Sequence, residues 1–349
     1  MQQSKQPLSP IDVRVQRAGK YRLDTPYLDS LVDDFSIWQH ADGQTPLPEH
    51  GYALDDATRG FLFYAAIDKR PIAKTLFKYM LHSRKGSDFY GFFNDKREPI
   101  QFPASDDAKG QVVWAMGFAV SCDFEAVKAR QLIKKLAPSL FAMQAIRGYA
   151  YALLGAIYID KPLAAGLQHE IVRRFKNVDD VWFWPEDSVT YGNGIIPYSL
   201  LRYALLLDDA DSAVTGRNSL EFLEKISTSG RLRGPIGYDG WYKKGDSHPA
   251  DNGQQAIDVS YMIGAWLAAY QLSGAKADLD KARRWMRWFE GENIAHTRMY
   301  EPDTLKTYDG INLSATDHHN NNGINTHSGA ESNICYVLSR YMLDTRTTL

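Results

Sequence analysis

Apolar residues recur at helical spacing along almost the whole chain, and the segments between these runs alternate between very short and very long. That alternation limits the fold more than any other feature. The clearest stripe is Ile146, Tyr149, Ala150, Leu153, Leu154 and Ile157, at i, i+3, i+4, i+7, i+8 and i+11. The same period predicts twelve helices, at 23–35, 55–68, 70–83, 106–121, 123–136, 141–159, 161–176, 194–208, 211–226, 253–272, 276–290 and 327–343, with few alternating strands. Links inside pairs are short: Asp68 to Arg70, Ser121 to Asp123, Asp160 to Lys161, Asp208 to Asp211. Links between pairs, at 36–54, 84–105, 177–193, 228–252 and 291–326, are long and rich in Gly, Pro, Asn and aromatics; the short one at 137–140 is the exception. Short links make antiparallel helical hairpins, and long loops inside a compact domain are usually functional. The expected architecture is all-α: six hairpins closed into a toroid, an (α/α)6 barrel, as a single catalytic domain over residues 1–349.

In that arrangement the long loops enter the even-numbered helices, which form the inner ring and start at one end of the molecule. The polar motifs fall at those starts: Gly51-Tyr52-Ala53-Leu54-Asp55-Asp56, Ser105-Asp106-Asp107, Trp184-Pro185-Glu186-Asp187-Ser188, Gln254-Gln255-Ala256-Ile257-Asp258 and Ser328-Gly329-Ala330-Glu331. The expected functional face is therefore the rim where the long loops lie.

Composition narrows the chemistry by exclusion. Forty Lys and Arg against 42 Asp and Glu give a net charge of -2, which supplies neither a basic face for nucleic acid nor an acidic tail. Cys122 and Cys335 sit inside apolar runs and read as buried free thiols. No apolar run follows the N-terminal Met1-Gln2-Gln3-Ser4-Lys5-Gln6 and none reaches bilayer-spanning length, so no membrane insertion and a cytoplasmic location are expected. The clustered histidines are His318, His319 and His327, none at zinc-like spacing, and no Gly-rich phosphate cradle or dinucleotide fingerprint occurs. Neither a metal nor a cofactor is expected, and transfer from a nucleotide sugar is not.

What remains is carboxylates beside aromatics. The 8 Trp and 20 Tyr include many in loops next to acidic pairs, and an aromatic ring flanked by hydrogen-bonding groups suits the face of a sugar. Glycoside hydrolysis needs one protonated carboxyl at the leaving oxygen and one carboxylate that activates water or attacks the sugar. A helix N-terminus favours the ionised form, while a second carboxylate close by raises one partner's pKa. Asp55-Asp56, Asp106-Asp107 and Glu186-Asp187 each offer both roles, with an N-cap the competing role for one member of each pair. The base or substrate-orienting carboxylate is assigned to Asp56, and the proton donor to Asp107 or Glu186. Trp38, Tyr52, Trp184, Tyr191 and Trp241 are expected to line the same cleft. Gln255 and Asp258, one turn apart, either bond sugar hydroxyls or cap their helix. Arg59 and Arg147 are expected to pair with rim carboxylates, and Glu331 matches a capping-box glutamate.

Asp33-Asp34-Phe35-Ser36-Ile37-Trp38-Gln39-His40-Ala41, Gly51-Tyr52-Ala53-Leu54-Asp55-Asp56-Ala57-Thr58-Arg59 and Trp184-Pro185-Glu186-Asp187 resemble the six-hairpin glycosidase-like α/α-barrel proteins found beside, or fused to, bacterial glycosyltransferases. The resemblance runs from about Leu23 to Leu343. Gly51, Tyr52, Asp55, Asp56 and Arg59 hold the family pattern, and Ala53, Leu54, Ala57 and Thr58 depart from it. It implies a carbohydrate substrate, a functional link to a glycosyltransferase, and substrate contacts by Trp38, His40, Tyr52, Asp55, Arg59, Trp184 and Asp187. More distantly the layout is similar to unsaturated glucuronyl and rhamnogalacturonyl hydrolases, which use two aspartates near the starts of successive inner helices; Asp56 and Asp107 occupy comparable places. The expected activity is a glycoside hydrolase, inverting, on a bacterial oligosaccharide or polysaccharide fragment. The alternatives are a sugar 2-epimerase on the same barrel, which relies on paired histidines, and a non-catalytic glycan-binding partner of a glycosyltransferase.

Overall fold

The apolar stripes fold as their periodicity predicts. A computed structural model describes residues 21–228, 234–313, 320–321 and 323–349. Its helices are α1 (Pro26–Ser30), α2 (Leu54–Ala66), α3 (Arg70–His82), α4 (Asp106–Ser121), α5 (Ala126–Leu140), α6 (Ile146–Ala156), α7 (Lys161–Val172), α8 (Ile195–Leu207), α9 (Ala210–Ser227), α10 (Ala256–Ser273), α11 (Lys276–Glu290) and α12 (Ala330–Thr345). The even-numbered helices pack side by side in the order α2, α4, α6, α8, α10, α12 and back to α2, closing a ring. Helices α3, α5, α7, α9 and α11 each lie against the inner helix that precedes them, and α1 lies against α12. This is the (α/α)6 six-hairpin barrel.

Burial separates the two layers. Helix α10 is buried at every position from Ala256 to Ala269, as a helix enclosed on all sides must be. Helix α11 buries a stripe, Leu279, Ala282, Trp285, Met286 and Phe289, and turns most of its charged residues outward, Asp278 excepted. The closest inner pair is α4 with α6: a Cβ on Gly110 would meet the Gly148 carbonyl oxygen at 2.3 Å, and one on Gly117 would meet that of Gly155 at 2.2 Å. This approach seats Asp107 and Arg147, the second residue of each helix, against one another.

Several boundaries shift from the periodic reading, with α5 running on to Leu140 through the expected 137–140 link, and at two of them a carboxylate captures backbone N–H groups. The first helix stops at Ser30, where Asp33 Oδ1 accepts from Phe35 N and Ser36 N at 2.7 and 2.9 Å and turns the chain. Helix α6 begins at Ile146 rather than 141, since Asp106 Oδ2 accepts from Gln144 N and Ala145 N at 2.6 and 2.9 Å. Asp106 thus ties off the start of the neighbouring helix, while Ser105 caps its own.

The long loops carry short antiparallel ladders. Tyr52–Ala53 pairs with Phe92–Phe93, Ser188–Val189 with Tyr242–Lys243, and Gly310–Ile311 with Ile324–Asn325. No helix among the described residues is long and apolar enough to cross a membrane. Cys122 and Cys335 are buried. His318 and His319 lie outside the described residues.

Candidate active site

A cleft of about 620 Å³ opens at the end of the barrel where inner helices begin. The first turns of α2, α4, α10 and α12 line it, together with Tyr191 from the segment before α8 and Tyr238, Trp241 and Asp309 to Asn312 from the long loops. Four acidic side chains in its wall sit at nearly one level of the ring, because each is the second or third residue of an inner helix: Asp55 and Asp56 on α2, Asp107 on α4, Glu331 on α12.

On one side these acids gather around Arg59. Its Nη2 lies 3.1 Å from Asp55 Oδ2, 2.9 Å from Asp56 Oδ1 and 2.8 Å from Glu331 Oε2. One oxygen from each carboxylate lies within 4.8 Å of the others, a grouping able to hold a metal ion, but the guanidinium already supplies positive charge there. Burial, reinforced by the charge of Asp55, pushes Asp56 up to about 8 despite Arg59. Burial also raises Glu331, against the pull of Arg59. At the mouth, His40 stands 3.9 Å from Asp309, whose carboxylate raises the imidazole above its ordinary value. Asp309 in turn accepts from Gly329 N at 2.6 Å and Ser332 Oγ at 2.9 Å, fixing the start of α12.

On the other side the centre is Arg147. Its Nε donates to Asp107 Oδ2 at 3.0 Å, its Nη1 donates to Thr190 Oγ1 at 3.2 Å, and the guanidinium lies 4.3 Å from the ring centroid of Tyr191. The Tyr191 hydroxyl donates to the same Asp107 Oδ2 at 3.0 Å, so that oxygen is held as an acceptor. Asp107 Oδ1 has no hydrogen-bond partner among the described residues. Glu186 is 4.0 Å from Arg147 Nη1, and burial raises its pKa. Tyr191 is presented by a turn in which Asn193 bonds both the N–H and the carbonyl of Thr190. Asp258 Oδ1 accepts from Asn193 N at 3.4 Å beneath that turn, and its own burial raises it to about 7.

Of the residues singled out in the sequence, the cleft wall brings together Asp55, Asp56, Arg59, Asp107, His40, Tyr191, Trp241 and Gln255. Others fall behind it. Trp184 is 2% exposed and stacks on Phe222 under the loop. Tyr52 is buried, donates to Asp33 Oδ2 at 2.6 Å and carries Trp38 stacked on its ring at 4.1 Å. Asp187 is exposed, and its backbone carbonyl accepts from Lys244 N. Asp258 supports the Tyr191 turn, and Glu186 approaches through Arg147 rather than from the wall. Glu331 is not a capping-box residue: Gly329 occupies the N-cap, no side chain caps it, and Glu331 reaches across to Arg59. Gln111 and Asp309 also line the cleft, as does Gln254 from one of the rim motifs. The signal for Glu331 was its place, the second residue of an inner helix.

No family model matches this sequence, and no curated protein sequence matches it. Solved structures do share its fold. A sugar epimerase from a ruminal bacterium superposes with a TM-score of 0.68 at 12% identity, covering 95% of this chain and 98% of that one. Cellobiose 2-epimerase from Bacillus thermoamylovorans gives 0.68 at 12% identity over 92% and 95% of the two chains. The GH76 α-mannanase of Bacteroides thetaiotaomicron gives 0.58 at 9% identity over 91% and 93%. The chain thus has the six-hairpin α/α-barrel fold of these structures; at these identities the likeness extends no further.

Proposed function

We propose that this chain is a carbohydrate-active enzyme, and within that class a glycoside hydrolase acting on a bacterial oligosaccharide or polysaccharide fragment. The observation that carries the reading is the pair of unlike carboxyls in one cleft. Asp56 is pushed up to about 8 by burial, so it holds a proton at neutral pH and is suited to donate it to the leaving glycosidic oxygen. Asp107 has one oxygen fixed as an acceptor by Arg147 and Tyr191 and the other without a protein partner, the arrangement of a group that orients and activates water. These roles reverse the ones the sequence suggests, because burial acts on Asp56 more strongly than the helix N-terminus does. Tyr191, Tyr238 and Trp241 supply ring faces for the sugar. An inverting course is the form of the reaction we favour, with the attacking water beside Asp107 and the acid on a different helix.

A 2-epimerase using paired histidines is less well supported, since His40 is the one histidine lining the cleft among the described residues. The test is turnover on a panel of glycans. Asp56→Asn and Asp107→Asn should each lower it by at least ~100-fold with the fold intact, the usual contribution of a positioned acid or base. Near-unchanged turnover in both variants would remove the assignment. Glycan binding with no turnover in the unaltered protein would favour the non-catalytic reading, and interconversion of epimers without bond cleavage would favour the epimerase.

A further inference from the structure

Resting on the glycoside reading, the cleft also carries information about which sugars it admits. The charges that a ligand meets there are not the ones that balance on paper. Arg59 is 1% exposed, whereas the side chains of Asp55 and Glu331 that it holds are 33% and 34% exposed. The guanidinium lies behind its carboxylates, and an entering molecule touches oxygen. Asp309 and Asp107 add further acceptors to the wall, and among the described residues no lysine lines it. His40, the remaining basic side chain in the wall, faces Asp309. Asp107, 8% exposed, keeps an oxygen without a partner, so the wall retains unused acceptor capacity.

Such a wall demands donors. A sugar hydroxyl or a protonated amine supplies them, whereas a uronate carboxylate is acceptor-only and would be brought beside carboxylates in a partly desolvated cleft. We propose that this cleft recognises its saccharide through hydroxyl or ammonium donors and rejects uronate-bearing chains, in contrast to the unsaturated glucuronyl hydrolases whose layout it resembles.

The test is calorimetric binding of three sets of oligosaccharides of equal length, neutral, amino and uronate, each with α- and β-linked members. Neutral or amino chains should bind at least ~10-fold more tightly than the uronates, the scale of one unfavourable charge contact. Added salt should narrow that gap by screening the repulsion. Asp55→Asn and Glu331→Gln should narrow it too, read as a ratio within one preparation so that partial misfolding cancels. If neither variant folds, the ranking and salt response of the unaltered protein still decide. Uronates binding as tightly as the other sets, or tighter, would overturn the inference while leaving a glycan-active cleft. Binding of no member of any set would remove the glycoside reading and this inference together.

Discussion

Two arginines near the cleft face the same problem, carboxylates crowded at helix starts, and resolve it differently. Arg59 is 1% exposed and bonds three carboxylates through a single nitrogen, leaving its Nε and Nη1 without partners among the described residues. Arg147 is 12% exposed and spreads its contacts over Asp107, Thr190, the Tyr191 ring and, more distantly, Glu186. The first arrangement leaves negative charge in excess around the buried Asp56, and a proton on Asp56 relieves it. The second satisfies one oxygen of Asp107 fully and leaves the other without a hydrogen-bond partner among the described residues. One pairing of residue types, Arg with Asp, thus yields an acid on α2 and an acceptor on α4, and the difference lies in burial and in the number of acids per cation.

The comparison breaks most readily through the arginines themselves. Arg59→Met should destabilise the fold by about 3 kcal/mol in urea unfolding, since it leaves the buried Asp56 uncompensated beside the half-buried Asp55 and Glu331. Arg147→Met should cost less than half of that, because Tyr191 still donates to Asp107 and Glu186 is half-exposed. Its larger effect should be on turnover. Equal losses of stability would mean that the two sites do not differ as described.

Aromatic residues offer a comparison of similar size. Trp184→Ala should lower stability by about 3–5 kcal/mol, as truncation of a buried aromatic does, while leaving the glycan affinity of the folded fraction unchanged. Trp241→Ala should do the opposite, weakening glycan binding about 3- to 10-fold, the worth of one aromatic contact, with little change in unfolding. The loop tryptophans look alike in the sequence, since Trp184 and Trp241 both sit near turns and charged residues. What separates them is the partner each meets: Phe222 from α9 lies under Trp184, whereas Trp241 meets Tyr191 at 6.2 Å between ring centroids on the cleft side.

That limit recurs. Helix periods and loop lengths are local, so the ring of inner helices and the functional end were legible, and Asp56, Asp107 and Arg59 with them. The fate of a polar side chain depends on which neighbour the closed ring supplies. Asp106 and Asp107 are adjacent, yet the first ties off α6 and the second faces the cleft, because α4 and α6 are drawn together by glycines whose effect is felt only when the helices meet. Glu331 is 272 residues from Arg59, and no spacing within its own helix announces the bond.

A smaller effect sharpens the account of Asp56. Its folded pKa lies above its ordinary value, so between about 4 and 8 the folded state binds the extra proton. Stability contributed by this group is therefore greatest below pH 4 and declines as pH rises through 8. Relative to Asp56→Asn, the unaltered protein should lose stability across that window in unfolding experiments run from pH 4 to pH 9. A gain over the same range would give the shift the wrong sign.

The most direct test of the central claim needs no substrate. Carboxyl carbon shifts of aspartate-labelled protein, with the Asp56 signal assigned by its absence in Asp56→Asn, report the protonation of this one group. The account predicts a midpoint near pH 8, so that Asp56 enters the reaction as an acid. A midpoint below about 5, in the ordinary carboxylate range, would contradict it.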